Sequence, residues 1–563
     1  MSTKPLSPIE KIKTESHGLR GTIRESLQDG YTGAVRDPDQ ALVKFHGMYL
    51  QDDRDRREVR SAKKLDRLYS FMVRLRIPGG FLTPEQWIAV HHIAGRYSTG
   101  VIKITTRQTI QLHGILKKDV KPTLKDFSLV DLDSIAACGD VNRNVIVSGN
   151  PAESELHEQV FAYAKLISEH LLPKTRAYHE IWLDEEHLNP VDETDPLYQD
   201  RYLPRKFKIA IVIPPNNDPD VFANDAGIVA IIEKGKLTGF NIAVGGGLSA
   251  THGNAETYAR AATTIGYVSI AGGDEKLLKA LYEVITIQRD FGNRSDRKLA
   301  RLKYTLDRMG VAEFKKELEN RCGFDLEPER PVTFTAREDR YGWMQDHRGL
   351  WHYTAFAENG RVLDDAQQTL KSALLELAGA GLCNIQFTAN QGIIVAAVTS
   401  GNKDRVHAIL EKHGVVQFQE RSSVLRKNSI ACVALPTCPL ALSEAQRYLP
   451  ELIDKLDLLM DRHGLQNENI ITRMTGCPNG CGRSRLCEIG FVGTAPGRYN
   501  LCLGGDHVGT RLNQVYRENI DEQEILTTLD ELFGSFARNR QPKEHFGDFA
   551  IRNQWVPAAP ATA

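Results

Sequence analysis

From residue 69 the chain reads YSFMVRLRIPGG, in which Phe71, Val73, Leu75 and Ile77 alternate with Met72, Arg74 and Arg76. A period of two is that of a strand, and Pro78-Gly79-Gly80 ends it. A helix is expected over 84–95. The next stretch, VIKITTRQTIQLHG (101–114), puts Ile102, Ile104, Ile110 and Leu112 on one face. Lys103, Thr105, Arg107, Thr109, Gln111 and His113 fall on the other. The apolar face requires a core, and the polar face requires solvent or a polar ligand.

The same pattern returns far downstream. GLWHYTAFAENGRVLD (349–364) reads as strand, turn and strand start, and a helix is expected around 365–378. CNIQFTANQGIIVAAV (383–398) then repeats the strand, the Thr-x-(Arg/Asn)-Gln turn and the second strand of 101–114. Two β-α-β-like units sharing an unusual turn point to a duplicated half, with chance similarity as the competing reading. A second pair of related stretches follows: CGDVNRNVIVSGNP (138–151) after the first unit, and ACVALPTCPLALSEAQRYLPELIDKL (431–456) with RMTGCPNGCGR (473–483) after the second. Between them, FKIAIVIP (207–214) and GFNIAVGGG (239–247) alternate with helical patterns at 154–171 and 275–290. The class is α+β, built from two related halves.

Bulk properties narrow the function. A chain of 563 residues is too long for one hydrophobic core. With 71 basic and 72 acidic residues the net charge is -1, which removes support for a nucleic-acid partner. The N-terminus MSTKPLSPIEKIKTES has no apolar secretory core, and no stretch approaches membrane-spanning length. Nine scattered cysteines fit a reduced, cytoplasmic protein better than a disulfide framework. The charged run QDDRDRREVRSAKKLDR (51–67) reads as a solvated tail or helix, or else as a docking segment for a partner.

Against that background two cysteine pairs stand out. Cys432 and Cys438 are spaced C-x5-C, Cys477 and Cys481 are spaced C-x3-C, and both pairs include a Cys-Pro step. Proline stiffens such a loop, and Gly476, Gly480 and Gly482 let backbone approach something bulky. The C-x5-C spacing strains a zinc site. A 4Fe-4S cube is wider and fits better, with zinc and unrelated core cysteines as the alternatives. A thiol redox pair would use C-x-x-C. Cys138, Cys322, Cys383, Cys487 and Cys502 read as small buried hydrophobes.

A set of cations is the second signal. In PRKFKIAIVIP (204–214) an apolar stripe of Phe207, Ile209, Ile211 and Ile213 leaves Lys206 and Lys208 together on the other face. Arg74 with Arg76, Lys103 with Arg107, then Arg143, Arg294, Arg297 and Lys298 extend the set. Any one alone is by default a solvated charge. Together they suit a polycarboxylate cofactor and a small oxyanion. VGGGLSA (244–250) matches a dinucleotide loop only formally, because no helix start follows, and no Walker A motif is present. If the reaction uses a nicotinamide cofactor, its site is expected on another chain.

C-x5-C followed by TGCPNGC, together with VNRN, LPRKFK and TTRQTIQLHG, closely resembles the siroheme and 4Fe-4S sulfite/nitrite reductases, over about residues 60–555. The resemblance implies a pseudo-twofold duplicated fold of three domains, with ferredoxin-like β-α-β halves around a central siroheme. The expected division is a polar extension (1–66), a first ferredoxin-like half (67–137) and a siroheme and anion-binding α/β domain (138–342). A second half (343–419) and a cluster domain (420–563) complete it. The family implies that Cys432, Cys438, Cys477 and Cys481 hold the cluster, and that Cys481 also ligates the siroheme iron. It matches Arg76, Arg143, Lys206 and Lys208 to the catalytic anion pocket. Arg107, Gln111, His113, Arg205, Lys298 and Gln391 match siroheme-binding positions, and Lys103, Arg294 and Arg297 are weaker candidates. The implied reaction is six-electron reduction of sulfite to sulfide in sulfur assimilation and cysteine biosynthesis. NADPH and flavins then act only through a flavoprotein (alpha) partner. A ferredoxin-dependent sulfite or nitrite reductase is the close alternative, and a non-catalytic iron–sulfur or zinc protein the distant one.

Overall fold

The computed structural model describes residues 5–149, 154–186 and 194–557. Four five-stranded sheets form it, as two matched pairs. The first pair is antiparallel. One sheet runs in the order Met48–Asp52, Tyr69–Arg74, Ile110–Ile115, Ile102–Ile104 and Arg361–Val362. Its mate runs Gly342–Gln345, Trp351–Ala355, Ile393–Val398, Asn384–Phe387 and Phe81–Leu82. Each half thus lends a two-residue strand to the edge of the other's sheet, so neither edge is left open on that side. The helices Pro84–Tyr97 and Leu370–Gly379 pack against each other across the junction. Thr83 and Gln86 close a reciprocal capping box at the start of the first.

The shared turn is a device of this junction. Gln108 and Gln391 hold the same position in the two turns, both at positive φ (49° and 72°). The glycine facing each, Gly80 and Gly360, is also left-handed, and a Cβ there would press on the opposite half's strand-end carbonyl. Only glycine accepts that backbone and that approach together.

The second pair of sheets shares a different topology. Strands Ile146–Val147, Ile209–Val212, Ala226–Glu233, Lys236–Val244 and Thr263–Ser269 form one; Ser429–Ala431, Thr472–Thr475, Ile489–Ala495, Arg498–Leu503 and Gln514–Ile520 form the other. In both, the first three strands are parallel and the last two antiparallel. A helix joins the first two strands (Glu155–His170; Leu449–Arg462) and another follows the fifth (Glu275–Phe291; Glu522–Asn539). Registers agree as well: Ile146 faces Ala210, and Ile430 faces Arg473. The ends of the first strands are held alike, since Gln108 Oε1 accepts from Val147 N and Gln391 Nε2 donates to Ala431 O. Arg143-Asn144 and Lys427-Asn428 therefore occupy equivalent positions before their strands.

The charge run carries the expected solvated helix, Arg57–Ala62, and residues 61–67 are exposed, whereas the segment upstream of it is packed. Lys13 is buried, donating to Glu10 (2.6 Å) and to Leu203 O (2.8 Å), and Arg294 closes on the same glutamate. Strand Met48–Asp52 belongs to the first sheet, so that half begins upstream of residue 67. Asp52 takes a two-pronged bond from Arg57 (2.6 and 2.7 Å), Arg54 donates to Ala441 O (2.6 Å), and Asp55 meets Arg447 (2.9 Å). Charge density along the sequence does not distinguish charges facing water from charges facing one another. No helix among the described residues is long and apolar enough to cross a membrane.

Candidate functional site

The four cysteines meet because two adjacent parallel strands end side by side. Ala431 is in register with Met474. The loop bearing Cys432 and Cys438 leaves the first strand, and the loop bearing Cys477 and Cys481 leaves the second. Gly476 must be glycine, since a Cβ there would lie 2.5 Å from both Ala434 Cβ and Ser443 O. Its N–H points to Cys432 Sγ at 3.4 Å, and Asn479 Nδ2 points to Cys477 Sγ at 3.5 Å. Burial raises the thiols of Cys432, Cys438 (to about 12) and Cys477, and each is raised further by its neighbours, Cys481 foremost. Four sulfurs close enough to oppose one another's ionisation fit a polynuclear cation that binds them as thiolates. All nine cysteines are free. Cys487 donates to Ser484 O and Ile489 O, both at 3.2 Å, as a core thiol apart from the four.

Cys481 is the exposed member of the set and opens on a cationic cleft lined also by Thr106, Arg107, Lys208, Arg301 and Arg483. Phe207 and Ile209 point into the core, so Lys206 and Lys208 stand on the opposite face, as their alternation predicts. Burial lowers Lys208 to about 7, with Arg107 and Arg301 adding to the effect, while Cys481 opposes it. Lys206 is also lowered well below the usual lysine range, by burial and then by Lys208 and Arg205, with Cys481 again opposing. Arg107 is anchored to Asn224 Oδ1 (2.6 Å) and Ile209 O (2.8 Å), but its Nε has no acceptor. Burial brings it down to about 9. Arg143 is held by Gly139 O (3.0 and 2.9 Å). Burial and Arg297 bring Arg205 down to about 10 although Asp140 lies near. Crowded cations with few counter-charges, beside an unpaired buried donor, fit a polyanionic macrocycle and a small anion.

Other expected residues stand elsewhere. Arg76 is turned onto Asp133, which it grips through both Nε (3.0 Å) and Nη2, so its charge is spent away from the cleft. Arg74, at the end of strand Tyr69–Arg74, takes the inward position: it donates to Cys138 Sγ (3.1 Å) and, with the Gln111 amide oriented to satisfy its neighbours, to the Gln111 oxygen (3.0 Å). Gln111 lies between Arg74 and His113, whose ring burial holds neutral, with a pKa near 3. His113 also meets Gln51 (3.0 Å). Gln391 is buried between the halves, although its Oε1 has no partner. Lys298 is exposed. Arg294 and Arg297 are spent on Glu10 and Asp140. Lys103 is buried, donates to Asn359 O and lies near Cys432.

Sequence reasoning passed over Arg301, which is 4% exposed and bonded to Asp225 (2.7 and 3.0 Å), and Arg483, bonded to Asp220 (2.8 Å) and Ala389 O (2.6 Å). Arg483 stands two residues after Cys481, and that proximity was the available signal.

A duplicated pair of sheets and a four-thiol donor set beside a cationic cleft define an iron–sulfur redox protein whose cleft is lined for an anion. Comparison with known families agrees. The nitrite/sulfite reductase ferredoxin-like half domain matches residues 63–129, and the nitrite and sulphite reductase 4Fe-4S domain matches residues 162–326. The second match falls on the first of the two alike sheets, whereas the four cysteines stand on the other. A protein of Leptospira biflexa named sulfite reductase [NADPH] hemoprotein beta-component is 57% identical over 551 residues, spanning 98% of this chain and 99% of that one. Proteins of the same name from Shouchella clausii and Cronobacter sakazakii are 50% and 51% identical, over 98% and 97% of this chain and 96% and 95% of theirs. The solved structure of Mycobacterium tuberculosis NirA shares the fold, with a TM-score of 0.78 at 24% identity, over 98% of this chain and 97% of that one. The chain belongs to the nitrite and sulphite reductase family.

Proposed function

We propose that this protein reduces sulfite to sulfide, with Cys432, Cys438, Cys477 and Cys481 holding a 4Fe-4S cluster and the cationic cleft holding siroheme. The observation that carries the reading is that exposed Cys481 and Lys208 line one cleft, with Lys206 two residues along on the same face of its segment. A thiolate there is available to both cofactors, and cations face it across the space where the substrate anion would sit. The relatives' shared name, hemoprotein beta-component, supports the same reaction.

When bound, the siroheme and cluster supply the electrons and the iron at which sulfur is reduced. The protein supplies the rest. Arg143, Arg107 and Arg74 carry planar guanidinium forks that suit anchoring carboxylates and sulfite oxygens. Lys206, lowered by burial and by Lys208, and Lys208, lowered by burial and by Arg107 and Arg301, suit giving up a proton as each oxygen leaves as water. Gln111 and neutral His113 can accept or donate hydrogen bonds without adding charge. The electrons are drawn from NADPH through a separate flavoprotein subunit in the cytoplasm; the relatives' name, which includes NADPH and beta-component, supports the donor and a second component.

The donor decides between the close alternatives. Anaerobic assays of the cofactor-replete protein should yield sulfide from sulfite with NADPH and flavoprotein. Strong preference for reduced ferredoxin and nitrite would overturn the assignment.

A further inference from the structure

The duplication that builds the cationic cleft also builds its mate. The first cleft lies between the turn carrying Arg107 and the strands at Ile146 and Lys208. The equivalent positions around the second turn, Asn390, Ile430 and Ile471, line a second cleft together with Arg337, Lys427 and Arg473. The exchange of residues is instructive. Lys427 and Asn428 preserve the character of Arg143 and Asn144. Lys206 and Lys208 are replaced by Asn469 and Ile471, which removes the paired proton donors. The two loops leaving the first sheet carry no cysteine among their described residues, so nothing equivalent to Cys481 faces this cleft. Arg473 stands where the first sheet has Ala210.

The new arginines are deeply buried and incompletely bonded. Arg337 and Arg473 are 1% and 2% exposed. Arg337 Nη2 donates to Leu486 O (2.5 Å) and Arg473 Nη1 to the same carbonyl (3.3 Å). Arg337 Nε and Nη1, and Arg473 Nε, have no acceptor. A single carboxylate, Asp220, answers Arg337, Arg473 and Arg483 at once. Two acids, Glu338 and Asp339, also line the cleft, and both carboxylates are engaged by donors: Glu338 by His507 (2.8 Å) and Asn469, and Asp339 by Thr388 (2.5 Å) and Asn390 (3.2 Å). Lys427 adds a cation at the rim. Buried donors without acceptors are costly, and guanidinium groups are suited to oxyanions.

We propose that this second cleft binds a small inorganic oxyanion of the sulfate or phosphate class, seated on Arg337 and Arg473 with Lys427 beside it. It lacks the thiol and the paired lysines, so the anion is held there without being reduced.

Crystals of the full-length holoprotein soaked in selenate test this directly. The expected result is an anomalous selenium peak within hydrogen-bonding distance of Arg337 or Arg473. Water alone at that place overturns the proposal. In solution, sulfate should raise the melting temperature more than chloride at equal ionic strength. Lys427→Met, at the rim and outside the catalytic cleft, should weaken this sulfate response roughly tenfold in concentration. Lys208→Met, at the first cleft, should retain it. If Lys427→Met leaves the response intact, or Lys208→Met abolishes it, the anion is bound elsewhere and the proposal fails.

Discussion

Gln108 and Gln391 reach across the duplication to each other's half: Gln108 Nε2 donates to Phe387 O (3.1 Å), and Gln391 Nε2 donates to Ile104 O (3.4 Å). Each acceptor ends a strand leading into the other turn. The bond lashes two ferredoxin-like halves together beneath both clefts. Gln391, matched by resemblance to a cofactor-binding position, thus has a structural task visible without cofactor. Gln391→Leu should destabilise the cofactor-free protein by about 1–3 kcal/mol, the cost of leaving buried carbonyls unanswered. Urea unfolding measures it, and an unchanged midpoint would assign Gln391 to the cofactor alone.

Arg74 and Arg76 should separate in function although only one residue stands between them. Arg74→Gln removes a cation beside Gln111 and should raise the KM for sulfite or lower kcat at least tenfold. Arg76→Gln strands Asp133 in a partly buried site and should lower stability by about 1 kcal/mol with little kinetic effect. Steady-state kinetics paired with thermal melts would reveal the reverse assignment.

His507 makes stability depend on pH. Its ring stacks on His545 with centroids 3.9 Å apart. Burial opposes its charge, but bonds to Glu338 (2.8 Å) and Glu488 (3.2 Å) outweigh it and lift the pKa to about 9, from 6.5. A raised folded pKa means stability fully present below pH 6.5 and lost as pH rises through about 9. The loss should be about 3 kcal/mol at most. Denaturation series from pH 6 to 10 should show this decline, and His507→Gln should flatten it. Equal slopes in both proteins would remove His507 as the cause.

Much of this molecule was legible in its sequence because alternation, turn chemistry and cysteine spacing are local. The strand beginning at Tyr69, the paired turns at Gln108 and Gln391, and the outward face of Lys206 and Lys208 all follow from periods of two. What escaped is long-range. Arg74 and Arg76 share a face in sequence terms, and only Asp133, 57 residues from Arg76, pulls one of them aside. Lys13 looks solvated until Leu203 and Asp140 close over it. The exchange of edge strands Phe81–Leu82 and Arg361–Val362 involves segments too short to carry a pattern. Arg301 and Arg483 face the cleft because loops from two sheets converge, and spacing does not report convergence.

The central claim is that Cys481 joins the cluster to the siroheme while Cys477 serves the cluster alone. Electron paramagnetic resonance of the reduced, cofactor-replete Cys481→Ser protein tests it most directly. The account predicts that the magnetic coupling between the two centres disappears and that sulfide formation from sulfite falls by orders of magnitude. A coupled spectrum and full sulfide formation in that variant would contradict it.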